Sequence, residues 1–333
     1  YHSLFDLRPL LFFDEIQNIE GWEHFARRLA NQKYNIYITG SNAKMLSREI
    51  ATTLGGRFWN KDVYPYSFAE YLNARDIILS KNWMYGKQAA EVSKAFNDYF
   101  LYGGFPELTD VIAKRVWLND IYSKIFFSDL IVRNKVRNEE ALGLLVRRLA
   151  ENVKQPISYT RLANLISSIG IKISKATVIE FIRYLKESCL IFPIENYAAK
   201  FAERNSNMKH YFIDNGLLSI FLLDGNTSLL ENIVAIHLYK RYGAQLYFYN
   251  QNIEVDFIIP EAKTAIQVSY SLMDETTCRR EVEGLIKLNR VFPMDNMCII
   301  TRDEERIITH ESGVSIHVIP VWKWLLEEEP LQT

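Results

Sequence analysis

The chain has 333 residues, of which 48% are hydrophobic and 24% charged, and this length is typical of two or three globular domains. Its net charge of -1 excludes a uniformly basic nucleic-acid binder, although a local basic patch stays open. No run of about 18 apolar residues occurs and the three cysteines lack metal-binding spacing, so the composition favours a cytoplasmic protein with no membrane partner.

The first elements predict a parallel strand–helix–strand unit. The stretch "LLFFDEIQ", Leu10–Gln17, starts with apolar residues that are typical of a strand buried on both faces. Apolar residues at helical spacing predict a helix over Gly21–Asn31, and "YNIYIT", Tyr34–Thr39, predicts the next strand. Two strands joined by a helix at this distance are expected to pair in parallel.

Polar residues follow both strands. Asp14 and Glu15 come directly after the first strand, at the carboxyl edge where open α/β sheets bind ligands. In a P-loop nucleotide site an acid here holds Mg²⁺ and the next one orients or deprotonates the attacking water, so we assign these roles to Asp14 and Glu15. Ser41 or Asn42 could contact the γ-phosphate, and Arg57, after a Gly-Gly turn, could meet phosphate charge from a neighbouring subunit.

Taken singly, each of these features is common in proteins that bind no nucleotide, and their order along the chain is what favours a nucleotide site. Such a site also needs a glycine-rich loop G-x-x-x-x-G-K-[ST] that surrounds the phosphates. That loop does not occur in the 333 residues. Composition and spacing therefore predict half of a nucleotide-binding sheet.

The middle of the chain changes from one helical pattern to another. Residues 67–152 are mostly helical in pattern, with a turn at "YGGFPE", Tyr102–Glu107. Two short helices are predicted at Ile157–Ser167 and Ser174–Glu187, and strand-like stretches follow them. Two helices followed by a two-stranded hairpin indicate a winged helix over residues 153–215.

Basic residues make the winged-helix region a candidate for contact with DNA phosphates. A solvated helix face or a protein-docking surface explains the same residues equally well. The nucleic-acid candidates are Lys175 and Arg183 on the second helix and Lys200, Arg204 and Lys209 on the wing.

The last third predicts a mixed α/β domain in the order α-β-β-β-α-β. Because side chains alternate along a strand, Glu254 and Asp256 of "IEVDFII" share one face. Gln267 and Ser269 share a face of the next strand, and Glu231 lies on the preceding helix. An acidic strand edge above a structural core is the simpler interpretation of this pattern.

The motifs in combination resemble bacterial and archaeal AAA-type ATPases that carry a C-terminal domain of uncharacterised role. The resemblance runs through "LLFFDEIQNIEGWEHFARRL", "ITGSNAKMLSREIATTLGGR", "YPYSFAEYL" and "YGGFPE", and continues through "KHYFIDNGLL", "LLENIVAIHLYKR" and "IEVDFII". It implies ATP and Mg²⁺ as cofactors, Walker B acids at Asp14 and Glu15, a sensor at Asn42 and an arginine finger at Arg57. A finger used in trans implies a homo-oligomer. The phosphate loop is expected upstream of the Asp-Glu strand, so the chain by itself is expected to bind ATP weakly.

The C-terminal pattern resembles the restriction-endonuclease-like fold, in which two carboxylates hold a divalent metal and a lysine activates water. The resemblance places the helix acid at Glu231, the metal-binding aspartate at Asp256 and the second metal ligand at Gln267. Ser269 stands where the lysine is expected. Serine supplies no positive charge, so we expect the nuclease activity to be weak or absent.

The expected fold class is α/β, with a partial P-loop AAA-type parallel sheet, a helical lid, a winged helix and a restriction-endonuclease-like domain. The expected boundaries are 1–75, 76–152, 153–215 and 216–333. The leading functional hypothesis is ATP-driven rearrangement acting on nucleic acid or a protein partner. The alternatives are a degenerate metal-dependent nuclease and a DNA-binding module without catalysis.

Overall fold

The computed structural model describes residues 8–16, 19–40, 53–56, 58–204 and 206–327. The described residues form a mixed α/β structure with one parallel strand pair and one large mixed sheet. Within these ranges, no helix combines the length and the apolar character that crossing a membrane requires.

Contacts divide the chain into two compact units. The first unit combines Tyr1–Val63 with Ile182–Leu190, and the second combines Tyr64–Phe181 with Ile191–Thr333. The second unit begins at Tyr64, and the expected domain boundary at residue 75 stays a prediction.

The first unit contains the predicted strand–helix–strand arrangement. β1 (Leu11–Phe13) and β2 (Ile36–Ile38) pair in parallel, and α1 (Trp22–Asn31) connects them. The helix packs its buried Trp22 and Ala26 against the inner face of this pair. On the outer face Phe12 and Tyr37 stack at 5.0 Å and stay 71% and 56% exposed. The prediction of a strand buried on both faces is therefore wrong for the described residues, because one helix covers only one face.

The first part of the second unit is helical, as the sequence pattern predicts. α2 begins at a capping box in which Ser67 and Glu70 exchange side-chain and backbone hydrogen bonds. A π-helical segment over Ile125–Val132 continues directly from α4. The helices of this part are α2 (Phe68–Asn73), α3 (Lys87–Tyr102), α4 (Lys114–Lys124) and α5 (Glu139–Glu151), with short 3-10 turns at Trp83–Tyr85 and Pro106–Thr109.

A nine-stranded sheet forms the centre of the second unit. Its strand order is β10-β11-β9-β8-β7-β6-β4-β5-β3. The strands are β3 (Ile157–Ser158), β4 (Ile191–Asn196), β5 (Asn207–Phe212), β6 (Tyr247–Asn250), β7 (Glu254–Ile259), β8 (Thr264–Val268), β9 (Asn296–Thr301), β10 (Arg306–Thr309) and β11 (Ser315–Pro320).

The remaining helices lie between these strands along the chain or after the last of them. They are α6 (Tyr159–Ser167), α7 (Lys175–Glu187), α8 (Phe201–Arg204), α9 (Asn215–Ser219), α10 (Asn226–Tyr242), α11 (Glu275–Val291) and α12 (Val321–Glu327), with a 3-10 turn at Gly243–Gln245. α11 packs its buried Leu285 and Ile286 into a core that also contains Val255 and Ile299 of the sheet. α10 is buried on most of its surface, including the polar residues Glu231 and Asn232.

The sheet crosses the predicted boundary at residue 215 without a break. β3 and β4 both pair antiparallel with β5, in the chain order α5-β3-α6-α7-β4-β5. β4 then pairs in parallel with β6, through Glu195 opposite Tyr247 and Asn196 opposite Phe248. The hairpin expected to be the wing is thereby part of the C-terminal sheet.

The "YGGFPE" turn is held by a buried aspartate. The Asp214 carboxylate accepts the Gly104 amide at 2.7 Å and the Gly216 amide at 2.8 Å, so it caps α9 and binds the turn after α3 at once. Asn215 donates to the Phe100 carbonyl at the end of α3. Gly103 has φ +79°, and a Cβ atom there would overlap the Asp214 carboxylate.

Candidate functional site

The acidic pair lies at the carboxyl end of the parallel strands, where the sequence predicted it. Asp14 and Glu15 directly follow β1 and are exposed, and Thr39 directly follows β2. The Thr39 amide donates to the Phe13 carbonyl at 2.9 Å, which brings the two strand ends side by side. Glu15 has φ +50°, in the left-handed region that non-glycine residues seldom adopt.

Thr39 fixes the orientation of the acidic pair. Its hydroxyl donates to Asp14 Oδ1 and accepts the Glu15 amide at 3.3 Å. Sequence reasoning missed Thr39 because it appeared only as the last residue of a strand. Its position at the carboxyl end of the neighbouring parallel strand was the signal that could have identified it.

Three other residues assigned to this edge are Ser41, Asn42 and Arg57, and all of them lie outside the described residues. Their roles stay predictions. The described part of the edge presents two exposed carboxylates, oxygen ligands of the kind that Mg²⁺ prefers, with one of them held by a hydroxyl.

A second group, here called the carboxylate cluster, consists of Glu231, Glu254 and Asp256 around the ammonium group of Lys209. Lys209 Nζ lies 3.1 Å from Glu231 Oε1, 3.1 Å from Asp256 Oδ1 and 3.7 Å from Glu254 Oε1. The lysine is fully buried, and the three acids come from α10 and β7. An ammonium group in this position neutralises charge that burial would otherwise make very costly.

Tyr211 supplies a further hydrogen bond to the carboxylate cluster. Its hydroxyl donates to Glu231 Oε1 at 2.7 Å, and the Val268 amide donates to Asp256 Oδ2 at 2.9 Å. Lys209 and Tyr211 are two residues apart on β5, so their side chains reach the cluster from one face of the strand.

Burial and crowded charge shift the pKa values of these groups. Burial raises the pKa of Glu231 to about 7, with Lys209 acting against this rise and Asp256 adding to it. Burial and then the nearby carboxylates raise the pKa of Tyr211 well above its usual range. Burial opposes the charge on Lys209, but attraction to the three carboxylates outweighs it and raises the pKa of that lysine. The lysine is therefore charged at neutral pH.

Gln267 makes its hydrogen bonds to the backbone of the neighbouring strand. Its Oε1 accepts the Asp256 amide at 2.8 Å, and its Nε2 donates to the Glu254 carbonyl at 3.1 Å. Ser269 Oγ donates to the Ser271 carbonyl at 3.0 Å. Both ends of the Gln267 amide thus hold β7 and β8 together rather than facing a ligand.

The predicted metal ligands therefore do not fit a metal ion as they stand. Glu231 and Asp256 come together as expected, but the Lys209 ammonium lies between them. In the part of the chain that the structure describes, no group of three or more His, Cys, Asp or Glu side chains has an arrangement that could hold a metal.

Lys209 was expected on the surface of the wing, and this expectation is corrected by its complete burial. The residue belongs to the carboxylate cluster and lies 60 positions before Ser269, where the resemblance to the restriction-endonuclease-like fold predicted a lysine. The signal was present in "NMKHYF", where Lys209 and Tyr211 are two residues apart and therefore lie on one face of a strand. Which acids they would meet depends on pairing between distant strands, which the sequence alone does not reveal.

The other nucleic-acid candidates have different surroundings. Lys175, Arg183 and Lys200 are exposed. Arg183 lies 4.0 Å from Glu187 and over the ring of its neighbour Tyr184. Arg204 donates to the carbonyls of Ala199 and Tyr197 at 2.9 and 2.8 Å, so its guanidinium braces the local backbone.

Comparisons with known proteins place similarities along most of the chain. Residues 2–72 match the family described as AAA domain, and residues 93–228 match a domain of unknown function, DUF8612. The uncharacterized protein MJ1544 of Methanocaldococcus jannaschii is 34% identical over 330 residues, which cover 95% of this chain and 74% of the relative. An uncharacterized protein of Haemophilus influenzae is 31% identical over 324 residues, covering 94% and 76%.

Among solved structures, the chain is similar to the Walker-type ATPase PABY2304 of Pyrococcus abyssi. The TM-score is 0.40 at 14% sequence identity, and the match covers 64% of this chain and 63% of that chain.

Proposed function

Since the chain belongs to one family with its M. jannaschii and H. influenzae relatives and matches an AAA domain over residues 2–72, we propose that it acts as an AAA-type ATPase. The observation that carries the proposal is the exposed Asp14–Glu15 pair at the carboxyl end of β1, beside the end of the parallel strand β2. Ligands bind at this edge in open α/β sheets.

We assign Asp14 to Mg²⁺ and Glu15 to the attacking water. Thr39 holds Asp14 through its hydroxyl, so one carboxylate oxygen stays directed while the other can face a ligand. When bound, Mg²⁺ neutralises charge on the phosphates. Because G-x-x-x-x-G-K-[ST] does not occur in the 333 residues, the phosphate loop of the site would come from residues outside them.

The roles of the remaining residues of the proposed site are assigned from the resemblance to AAA-type ATPases. Ser41 and Asn42 would contact the γ-phosphate or the attacking water, and Arg57 would act on phosphate charge from a neighbouring subunit. That last role requires a homo-oligomer. Hydrolysis would drive a rearrangement that acts on nucleic acid or a protein partner.

The test is a Glu15→Gln variant in the full-length protein, with ATP turnover and nucleotide binding both measured in the presence of Mg²⁺. We expect turnover to fall by about 100-fold or more while nucleotide binding is retained, because the amide cannot activate water but leaves Asp14 in place. Glu20→Gln, which changes an exposed acid between β1 and α1, is the matched control and should keep its turnover. Unchanged turnover in Glu15→Gln would refute the assignment.

The second candidate function is cleavage or binding of DNA by the C-terminal half. Cleavage is favoured by the approach of Glu231 and Asp256 to each other around Lys209. Binding is favoured by the exposed Lys175 and Lys200 and by the winged-helix-like element order α5-β3-α6-α7-β4-β5. A metal ion could not be held between these carboxylates while Lys209 lies there. Incubation with DNA and Mn²⁺ tests both: cleavage lost in Asp256→Ala supports a nuclease, and salt-dependent affinity without cleavage supports a binding module.

A further inference from the structure

The carboxylate cluster contains a cation that the chain itself supplies. Lys209 Nζ is equidistant, at 3.1 Å, from a carboxylate oxygen of Glu231 and one of Asp256. A divalent metal bound by the same two oxygens would lie between them as well, at the shorter distances typical of metal–oxygen bonds. The ammonium group and a metal ion therefore need the same space.

The surrounding groups hold the carboxylates in this arrangement. The Tyr211 hydroxyl holds Glu231, the Val268 amide holds Asp256, and the Gln267 amide holds the strand on which Asp256 lies. Lys209 itself is fully buried and lies over the ring of Phe248 at 5.6 Å. The lysine is thus enclosed by aromatic and acidic groups on an inner strand of the sheet.

The charge balance of the cluster leaves room for a cation of higher charge. Three carboxylates surround one ammonium group, and of these Glu254 is exposed, Asp256 is mostly buried and Glu231 is buried. If Lys209 were replaced by an uncharged side chain of similar length, Glu231 and Asp256 would lose the cation that contacts both of them, and Arg280 would remain as a positive charge acting on Asp256. Uncompensated buried carboxylates are destabilising, and a divalent cation entering the vacated space would relieve this.

We propose that Lys209 is the resident cation of the carboxylate cluster, so that the cluster is complete without metal and accepts a divalent cation only when Lys209 is removed. This inference is independent of the ATPase proposal, which concerns the first unit. Among the described residues, the cation that contacts both Glu231 and Asp256 comes from β5.

The test measures Mn²⁺ binding by electron paramagnetic resonance and the thermal midpoint of unfolding in the whole chain. Lys209→Met should unfold at a lower temperature than the native chain without metal, bind one Mn²⁺ more per chain, and regain several degrees when Mn²⁺ is added. Lys209→Arg keeps the charge and should bind no additional Mn²⁺. Lys263→Met removes an exposed lysine paired with Asp295 and should match the native chain in both measurements.

Two outcomes would overturn the inference. The first is that the Lys209→Met chain folds and binds no additional Mn²⁺. The same conclusion would follow if the double variant Lys209→Met, Asp256→Asn still bound the additional Mn²⁺. The second outcome concerns a chain that retains Lys209 and carries only Asp256→Asn. We expect this variant to have a lower thermal midpoint and unchanged Mn²⁺ binding. A loss of Mn²⁺ binding in that single variant would mean that metal and lysine share the cluster, and it keeps the test decisive even where Lys209→Met does not fold.

Discussion

Asp214 is a carboxylate that is almost fully buried, and its position makes it sensitive to pH. Burial raises its pKa to about 6, although the amides of Gly104, Gly216 and Leu217 act in the opposite direction. A folded-state pKa above the unfolded value means that the protonated form is favoured by folding. The stability that this residue contributes is therefore complete below about pH 4 and is lost as the pH rises through about 6.

We expect the free energy of unfolding to show this loss when the native chain is compared with Asp214→Asn by urea denaturation from pH 4.5 to 7.5. The asparagine does not ionise, so the difference between the two chains should change by roughly 1–3 kcal/mol across this range, with the native chain losing stability as the pH rises. Asp224→Asn, at an exposed aspartate, is the control and should run parallel to the native chain. Parallel curves for Asp214→Asn as well would contradict the prediction.

Asp214 holds the turn at Gly103 and Gly104, which follows the end of α3, by accepting the Gly104 amide. Gly103 and Gly170 both have positive φ, +79° and +93°, so alanine at either position strains the backbone. Only at Gly103 does a Cβ atom meet another group, the Asp214 carboxylate, whereas nothing lies within 4 Å of the position at Gly170. The two glycines therefore separate backbone strain from steric overlap.

We expect Gly170→Ala to reduce the free energy of unfolding by about 1 kcal/mol, which is the usual cost of a non-glycine residue in this backbone region. Gly103→Ala should cost roughly 3 kcal/mol or more, because Asp214 must also move and give up its amide partners. Urea denaturation of both variants gives the comparison. Equal losses would show that the overlap at Asp214 is relieved without cost.

Elements formed from neighbouring residues could be predicted from the sequence, and contacts between distant elements could not. The apolar run before Asp14, the helical spacing after Gly21 and the apolar stretch "YNIYIT" indicated β1, α1 and β2. Alternation along a strand placed Glu254 and Asp256 on one face. Lys209 was misplaced because its partners come from α10 and β7, and their approach depends on β5 lying beside β4 and β4 beside β6. The exposure of Phe12 and Tyr37 on the outer face of β1 and β2 was also missed, because it depends on which elements pack against these strands.

At the scale of the whole molecule, the continuous sheet predicts joint unfolding of two regions that the sequence separated at residue 215. Hydrogen exchange measured at increasing denaturant should show the amides of β5 and β7 losing protection at the same free energy, since they share one sheet and the carboxylate cluster. A winged helix that folded independently would instead lose protection in β4 and β5 while β7 to β9 stayed protected. That pattern would contradict the prediction.

The parallel pairing of β4 with β6 also limits how this chain can exchange parts with its relatives. Glu195 and Asn196 must meet Tyr247 and Phe248, and the Asn196 side chain bonds to the Asn250 backbone at 2.6 and 3.0 Å. In a hybrid protein that joins two relatives at residue 215, β4 would come from one relative and β6 from the other. Lys209 would likewise come from one relative, and Glu231 and Asp256 from the other. Inheritance of the region from β3 to β11 is therefore expected to occur as one block, with substitutions at Lys209 accompanied by substitutions at Glu231 and Asp256.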